Sequence, residues 1–301
     1  MSKQAVIDIG SNSLLLLVAS RDAQGELDIH CDLNRVARLS EGVHERGTLA
    51  DEAIERALVI LREYRAICDE LGVPLRAVAT EGVRMASDRE RFLVPAAQIL
   101  GRPVEAISGE REAELSYLSV AREQLDHDEL RVIDIGGAST ELVQGRGETI
   151  LSAKSHAIGS VRLTERCVDS RDGRVPRAAI EAIEALADAA FASQPLEAAR
   201  ELFGLAGTVT SCAALLLKLE AYDRERVDGT RWSYDQVLAL RDEMAQLSTS
   251  ERVAKTLLPP KRADVIVAGV SILLCAMRHC GAQSLVVRDR GLRYALIEAT
   301  L

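Results

Sequence analysis

Aromatic residues are scarce in this chain: three Phe, five Tyr and one Trp make up 3% of 301 residues. A core so poor in rings must be filled by Leu, Val, Ile and Ala, and it leaves little flat surface on which unpaired bases could stack. Positive charge is short as well, with 37 Lys and Arg against 46 Asp and Glu and a net charge of −9. That balance excludes a protein that coats nucleic acid by charge, and it confines any attraction for an anion to a local patch. The six cysteines (Cys31, Cys68, Cys167, Cys212, Cys275, Cys280) include no C-x-x-C and no His/Cys cluster at zinc spacing, so buried free thiols are expected. The apolar run Leu14–Ala19 is too short to span a bilayer. Met1-Ser2-Lys3-Gln4 leads straight into a strand pattern with no signal peptide. A cytoplasmic protein without membrane or nucleic-acid partners is expected. Neither G-x-x-x-x-G-K-[ST] nor G-x-G-x-x-G occurs, so neither a P-loop NTPase nor a dinucleotide fold is supported.

What is present suffices for two domains with real cores, at 48% hydrophobic and 28% charged residues. The chain is organised around Arg131–Gly145, R-V-I-D-I-G-G-A-S-T-E-L-V-Q-G. Val132, Ile133 and Ile135 form a β-branched run around Asp134, Gly136 and Gly137 break it, and Glu141-Leu142-Val143 resumes it. A carboxylate at the end of a buried strand, beside glycines that let backbone N–H groups approach a ligand, suits a phosphate and its metal. Alone, D-I-G-G reads equally well as a hairpin turn. It is repeated, however. Laying Asp8 on Asp134 matches Val6, Ile7, Ile9, Gly10, Ser13 and Leu16 to Val132, Ile133, Ile135, Gly136, Ser139 and Leu142. Repetition of a strand–loop–strand unit across half the chain points to two similar lobes, each presenting one loop to a shared cleft.

Periodicity predicts β, β, β, α, β, α, β, α over the first lobe: strands near 4–9, 13–20 and 26–37, a helix over 51–71, a strand at 76–79, a helix over 88–100, a strand at 104–107 and a helix from 110 to about Leu125. The second lobe repeats strands near 131–135, 140–144 and 148–157. Helices follow at 160–167 and 176–192, a strand at 201–206 and a helix over 208–219. A helical excursion over 233–258, a long apolar helix from 263 to 279, a strand at 284–287 and a helix from 292 complete it. The predicted domains are 1–124 and 125–301, with the last helix, about 292–301, free to pack back on the first lobe.

Five glycine or polar loops fall at strand ends: D-I-G-S-N-S (8–13), T-E-G-V-R (80–84), D-I-G-G-A-S (134–139), L-A-G-T (205–208) and R-D-R-G-L-R (288–293). Converging loops of this kind hold phosphates with backbone amides and helix N-termini. Together with I-S-G-E-R-E-A-E-L-S-Y-L and I-G-S-V-R-L-T-E, they resemble the exopolyphosphatase / guanosine pentaphosphate phosphohydrolase family, in the same order over essentially the whole chain. The resemblance implies an α/β fold of two ribonuclease H-like lobes, the actin, Hsp70 and sugar kinase superfold, around an interdomain cleft, in the short two-domain form. It makes Glu112, in I-S-G-x-x-E-A, the carboxylate that activates water, with Glu110 and Glu114 as acidic neighbours. It gives Asp134 and Glu141 catalytic positions that handle Mg²⁺ (or Mn²⁺) or orient the water, with Asp8 as the first lobe's metal carboxylate. Ser11, Asn12, Ser13, Gly136, Gly137, Ala138, Ser139, Gly207 and Thr208 would hold phosphate oxygens. Arg84 and Arg293 are the leading side-chain cations, with Arg288 and Arg162 behind them.

Three departures stand out. Ala138 replaces a third glycine, Leu14–Leu17 replaces an Arg or His after S-N-S, and Arg288 replaces a serine, where it either adds charge or pairs with Asp289. The expected activity is exopolyphosphatase, metal-dependent release of orthophosphate from the end of inorganic polyphosphate with short chains preferred. Guanosine pentaphosphate, the stringent-response substrate, is the alternative, and a kinase of the same superfold is weaker for want of a sugar or acetate pocket. A non-catalytic polyphosphate or alarmone sensor is the reading from another class, disfavoured by Glu112, Asp134 and Glu141 together. A homodimer is expected.

Overall fold

A computed structural model describes residues 3–124, 127 and 129–301; Leu125, where the sequence ends the fifth long segment's helix, lies outside them. The chain divides into two compact units, Met1–Leu115 with Leu292–Leu301, and Ser116–Gly291. The elements run β1 (Gln4–Ile9), β2 (Ser13–Arg21), β3 (Leu27–Val36), α1 (Val43–Arg46), α2 (Asp51–Leu71), β4 (Leu75–Ala79), α3 (Glu81–Arg84), α4 (Glu90–Leu100), β5 (Val104–Ala106) and α5 (Gly109–Ala121). Next come β6 (Leu130–Ile135), β7 (Thr140–Arg146), β8 (Thr149–His156), α6 (Ser160–Cys167), α7 (Arg177–Phe191), β9 (Glu201–Leu205), α8 (Ala206–Leu216) and α9 (Arg224–Val227). The chain ends with β10 (Arg231–Ser233), α10 (Tyr234–Gln246), α11 (Thr249–Lys255), α12 (Pro260–Ala263), α13 (Ile266–His279), β11 (Ser284–Val287) and α14 (Leu292–Glu298).

The first unit's sheet has the order β3-β2-β1-β4-β5, antiparallel from β1 to β3 and parallel from β1 to β4 and β5. The second has β10-β11-β9-β6-β7-β8, the same arrangement with one extra edge strand. Each is the ribonuclease H-like sheet. In the first unit β1 is buried on both faces, as its run of Ala5, Val6, Ile7 and Ile9 requires. Helix α2 packs on this sheet with Ala53, Ile54, Ala57, Leu58, Leu61, Tyr64 and Cys68 at helical spacing, and Tyr64 donates from its hydroxyl to the Leu14 carbonyl oxygen of β2 at 2.8 Å. Gly72 stops α2 in the left-handed region, φ 63°. α14 returns to pack on β1 and β2. In the second unit α13 is buried without a break from Ile266 to Met277, which is why its sequence is apolar all round.

The expected pattern is recovered with local differences. Strand β10 falls where a helical excursion begins, because its three residues R-W-S carry no alternation and are extended only by pairing with β11. α8 starts at Ala206, two residues early, which puts Gly207 and Thr208 in a helical first turn rather than a loop. The six cysteines are free, and Cys68, Cys212, Cys275 and Cys280 are buried. No helix among the described residues is long and apolar enough to cross a membrane.

Candidate active site

The two hairpins that carry the repeat have one construction. In the first unit Asp8 pairs across strands with Leu15, and Gly10 N–H donates to the Ser13 carbonyl oxygen at 3.0 Å. In the second Asp134 pairs with Glu141, and Gly136 N–H donates to the Ser139 carbonyl oxygen at 3.0 Å. Residues directly opposite in an antiparallel ladder share a face, so Asp134 and Glu141 stand side by side. Glu141 is opposite Ser155 on β8, whose hydroxyl donates to Glu141 Oε1 at 2.6 Å, and Ser116 on α5 donates to Asp134 Oδ2 at 2.7 Å. Glu141 is only 1% exposed. This set is made of oxygens alone, two carboxylates and two hydroxyls, which suits a hard cation such as Mg²⁺ or Mn²⁺. Among the described residues no three His, Cys, Asp or Glu side chains form a complete cage. A cation held here would take the rest of its shell from water and substrate oxygens, as Mg²⁺ commonly does.

Each turn is braced from outside. In the first unit Ala37 and Arg38 N–H both donate to the Asn12 carbonyl oxygen, and Ser40 N–H to that of Ser11. Arg38 is held at φ 51°, a left-handed conformation that a side chain disfavours. In the second, Ser160 N–H donates to Gly136 and both Val161 and Arg162 N–H to Gly137, so the first turn of α6 sits on the D-I-G-G turn. A Cβ at Gly159 would lie 2.4 Å from the Gly137 oxygen, so glycine is required by this close approach. Ala138 is buried without a positive φ, the condition on which alanine fits at that point.

T-E-G-V-R becomes Thr80 followed by α3, and Gly82 packs directly on Ser11 of D-I-G-S-N-S: a Cβ there would be 2.5 Å from Ser11 Oγ. Arg84 is thereby brought beside α5. Its guanidinium is ion-paired with Glu81, donates to the Ile107 carbonyl oxygen and lies 3.7 Å from Glu112 Oε2. Three acidic residues share this helix start, and the structure separates them. Glu110 is exposed, Glu114 pairs with Arg111 at 2.6 Å, and Glu112 is buried beside Arg84. The first unit thus gathers Asp8, Ser11, Asn12, Ser13, Arg84 and Glu112 at the ends of β1, β4 and β5. The second gathers Asp134, Gly136, Gly137, Ala138, Ser139, Glu141, Gly207 and Thr208 at the ends of β6 and β9.

L-A-G-T is a strained turn. Ala206 adopts φ 65° as α8 begins, a conformation that costs alanine about 1 kcal/mol. Arg262 braces it, donating to the Gly207 carbonyl oxygen at 3.3 Å and to Ser211 Oγ at 3.1 Å. Burial holds the Arg262 guanidinium below its usual range, with Tyr222 and Asp289 acting in the opposite sense. Cys212, two turns on, has its thiol pushed up to about 12 by burial and is no nucleophile.

The remaining arginines are engaged. Arg293 makes a two-point pair with Asp32 on β3, 3.2 Å from Nε and 3.0 Å from Nη2, and Tyr294 donates to the same carboxylate at 2.7 Å. Arg288 pairs with Asp228 at 3.0 Å and Glu123 at 3.8 Å rather than with Asp289, which instead accepts from Tyr222 at 2.7 Å. Arg290 pairs with Glu123 at 2.9 Å. Sequence reasoning missed Glu81, Asp32, Ser116, Ser155 and Arg262. Only Glu81 left a signal, its three-residue spacing from Arg84 at the head of a short helix.

Two ribonuclease H-like sheets with matching carboxylate–glycine turns place the chain in that α/β class. Within the class, it belongs to the Ppx/GppA phosphatase family, whose sequence pattern matches residues 17–300. It is 34% identical over 286 residues to exopolyphosphatase 2 of Mycobacterium tuberculosis, covering 91% of this chain and 89% of that protein. Among solved structures it is similar to the Aquifex aeolicus Ppx/GppA family member, with 32% identity, a TM-score of 0.84 and coverage of 99% of this chain and 97% of that one. It is also similar to an exopolyphosphatase-like protein, with 31% identity, a TM-score of 0.91 and the same coverage, 99% and 97%.

Proposed function

We propose that this protein is a metal-dependent phosphohydrolase that releases orthophosphate from the end of inorganic polyphosphate. The observation that carries this reading is the buried Glu112 carboxylate facing Arg84, in the unit where D-I-G-S-N-S packs on α3. A carboxylate accepts a proton from an attacking water, while an adjacent guanidinium meets the charge on phosphoryl oxygens. The water oxygen bonds to the terminal phosphorus, its proton passes to Glu112, and the bridging P–O bond breaks to leave a chain one unit shorter. Kinship to an exopolyphosphatase supports the substrate class.

The other residues take the roles their surroundings allow. Asp134 and Glu141 would hold Mg²⁺ or Mn²⁺, which when bound neutralises charge on the polyanion and polarises its phosphoryl oxygens, and Asp8 is the matching metal carboxylate of the first unit. Ser11, Asn12 and Ser13 offer amides and hydroxyls to phosphate, as do Gly136, Gly137, Ala138, Ser139, Gly207 and Thr208. Arg293 would meet a phosphate oxygen as well, while its pair with Asp32 holds α14 on β3. With Arg84, Arg288, Arg290 and Arg293 already facing carboxylates, no track of uncommitted arginines among them extends along a polymer, and short chains are the preferred substrate. A cytoplasmic homodimer belongs to the same proposal.

Phosphate release from tripolyphosphate, a chain hundreds of units long, guanosine pentaphosphate and ATP, measured side by side, tests the reading. The expected order puts tripolyphosphate first, with intermediates released. Strong preference for the longest chain would contradict the short-chain assignment. Preference for guanosine pentaphosphate would transfer the activity to the alarmone, which ends in the same phosphoanhydride.

A further inference from the structure

Arg84 has more acceptors around it than a phosphate-binding arginine needs. One guanidinium nitrogen is ion-paired with Glu81, and the other donates to the Ile107 carbonyl oxygen and lies 3.7 Å from Glu112. Side-chain exposure is 25% for Arg84, 15% for Glu81 and 10% for Glu112, so these charges interact with little solvent between them. Three segments meet at this point. Glu81 and Arg84 begin and end α3, Ile107 follows β5, and Glu112 lies in the opening of α5. A guanidinium is a rigid planar fork, so two fixed acceptors settle where its remaining donors point. Glu81 and the Ile107 oxygen are those two.

We infer that Glu81 is a positioning residue that holds Arg84 in place while Glu112 changes charge. The inference rests on the reading of Glu112 as the proton acceptor. Before reaction a single guanidinium serves two carboxylates. Once Glu112 has taken the proton from water it is neutral, and its pull on Arg84 falls to that of an uncharged hydrogen-bond partner. The positive charge is then available to the phosphoryl and leaving oxygens, where negative charge is growing. Glu81 keeps its charge throughout, and it stops the guanidinium from swinging after either partner. Its effect on the reaction passes through Arg84.

The test is a kinetic series with tripolyphosphate at saturating Mg²⁺: Glu81→Gln, Glu81→Ala and Glu81→Asp, with Glu112→Gln alongside. Glu81→Gln keeps the size and one acceptor but returns the whole Arg84 charge to its other neighbours. Its KM should fall about threefold as phosphate gains a stronger partner, and its kcat about tenfold as Glu112 becomes a weaker base. Glu81→Ala frees the guanidinium, so kcat should fall about thirtyfold while KM rises. Glu81→Asp, which keeps the charge, should recover most of kcat. If kcat falls without the opposite movements of KM in the Gln and Ala variants, the role is structural and the inference fails. Wild-type kinetics in both variants, beside an inactive Glu112→Gln, would overturn this inference alone. Turnover retained by Glu112→Gln would overturn the reading of the base and this inference with it.

Discussion

The hairpins β1–β2 and β6–β7 are two versions of one object. Their pairing is in the same register, from Gln4 opposite Ala19 to Ile9 opposite Leu14, and from Leu130 opposite Gly145 to Ile135 opposite Thr140. Their outer neighbours even slip at corresponding points, between Val18 and Ala19 and between Gln144 and Gly145. Within that shared frame the partner of the aspartate changes character: Leu15 stands across from Asp8, Glu141 across from Asp134. Two carboxylates opposite each other repel unless something positive or a donor lies by them. In the second unit Ser155 and Ser116 supply the donors, and a bound cation would supply the charge. The backbone frame sets a place for one carboxylate, and the choice of cross-strand partner decides whether a second stands beside it.

Exchanging the cross-strand partners tests this contrast with the largest effect. Glu141→Leu, which gives the second hairpin the first one's chemistry, should lower kcat/KM roughly 10²- to 10³-fold and raise the Mg²⁺ needed for half-maximal rate. The reciprocal Leu15→Glu should gain no activity and lose stability. Kinetics at varied Mg²⁺ with a thermal melt of each variant checks both, and equal losses from the two exchanges would mean that the hairpins are not differentiated as described.

A smaller effect separates the two turns. A Cβ at Gly10 would stand 2.9 Å from the Ser13 oxygen, whereas at Gly136 the same distance to Ser139 is 3.2 Å. Both neighbours are backbone, so neither moves cheaply. Gly10→Ala should cost about 1–3 kcal/mol in urea unfolding, the range of an overpacked site, and Gly136→Ala less. The reverse order would show that the second turn is the stiffer.

Much of this was legible in the chain. The repeat could be seen because buried strands write themselves as β-branched runs, and Asp8 and Asp134 interrupt those runs at matching places. Glu112 could be picked from its neighbours Glu110 and Glu114 only through the resemblance, since nothing in G-E-R-E-A-E says which carboxylate is buried. Arg84 was legible as a cation, but not as one facing both Glu81 and Glu112, because that depends on β4 and β5 ending side by side. The pairing of Arg293 with Asp32 was hidden for a similar reason: the two lie 261 residues apart in sequence. The αL conformation of Ala206 left no trace, since alanine avoids it and only the surrounding packing imposes it.

The most direct test of the central claim is phosphate release from tripolyphosphate by Glu112→Gln in saturating Mg²⁺. The amide matches the carboxylate in shape but takes no proton. Turnover should fall on the order of 10²–10⁴-fold, the usual contribution of a general base, with KM within a few-fold of wild type and an unchanged melt. A folded Glu112→Gln protein with near wild-type kcat would contradict the account.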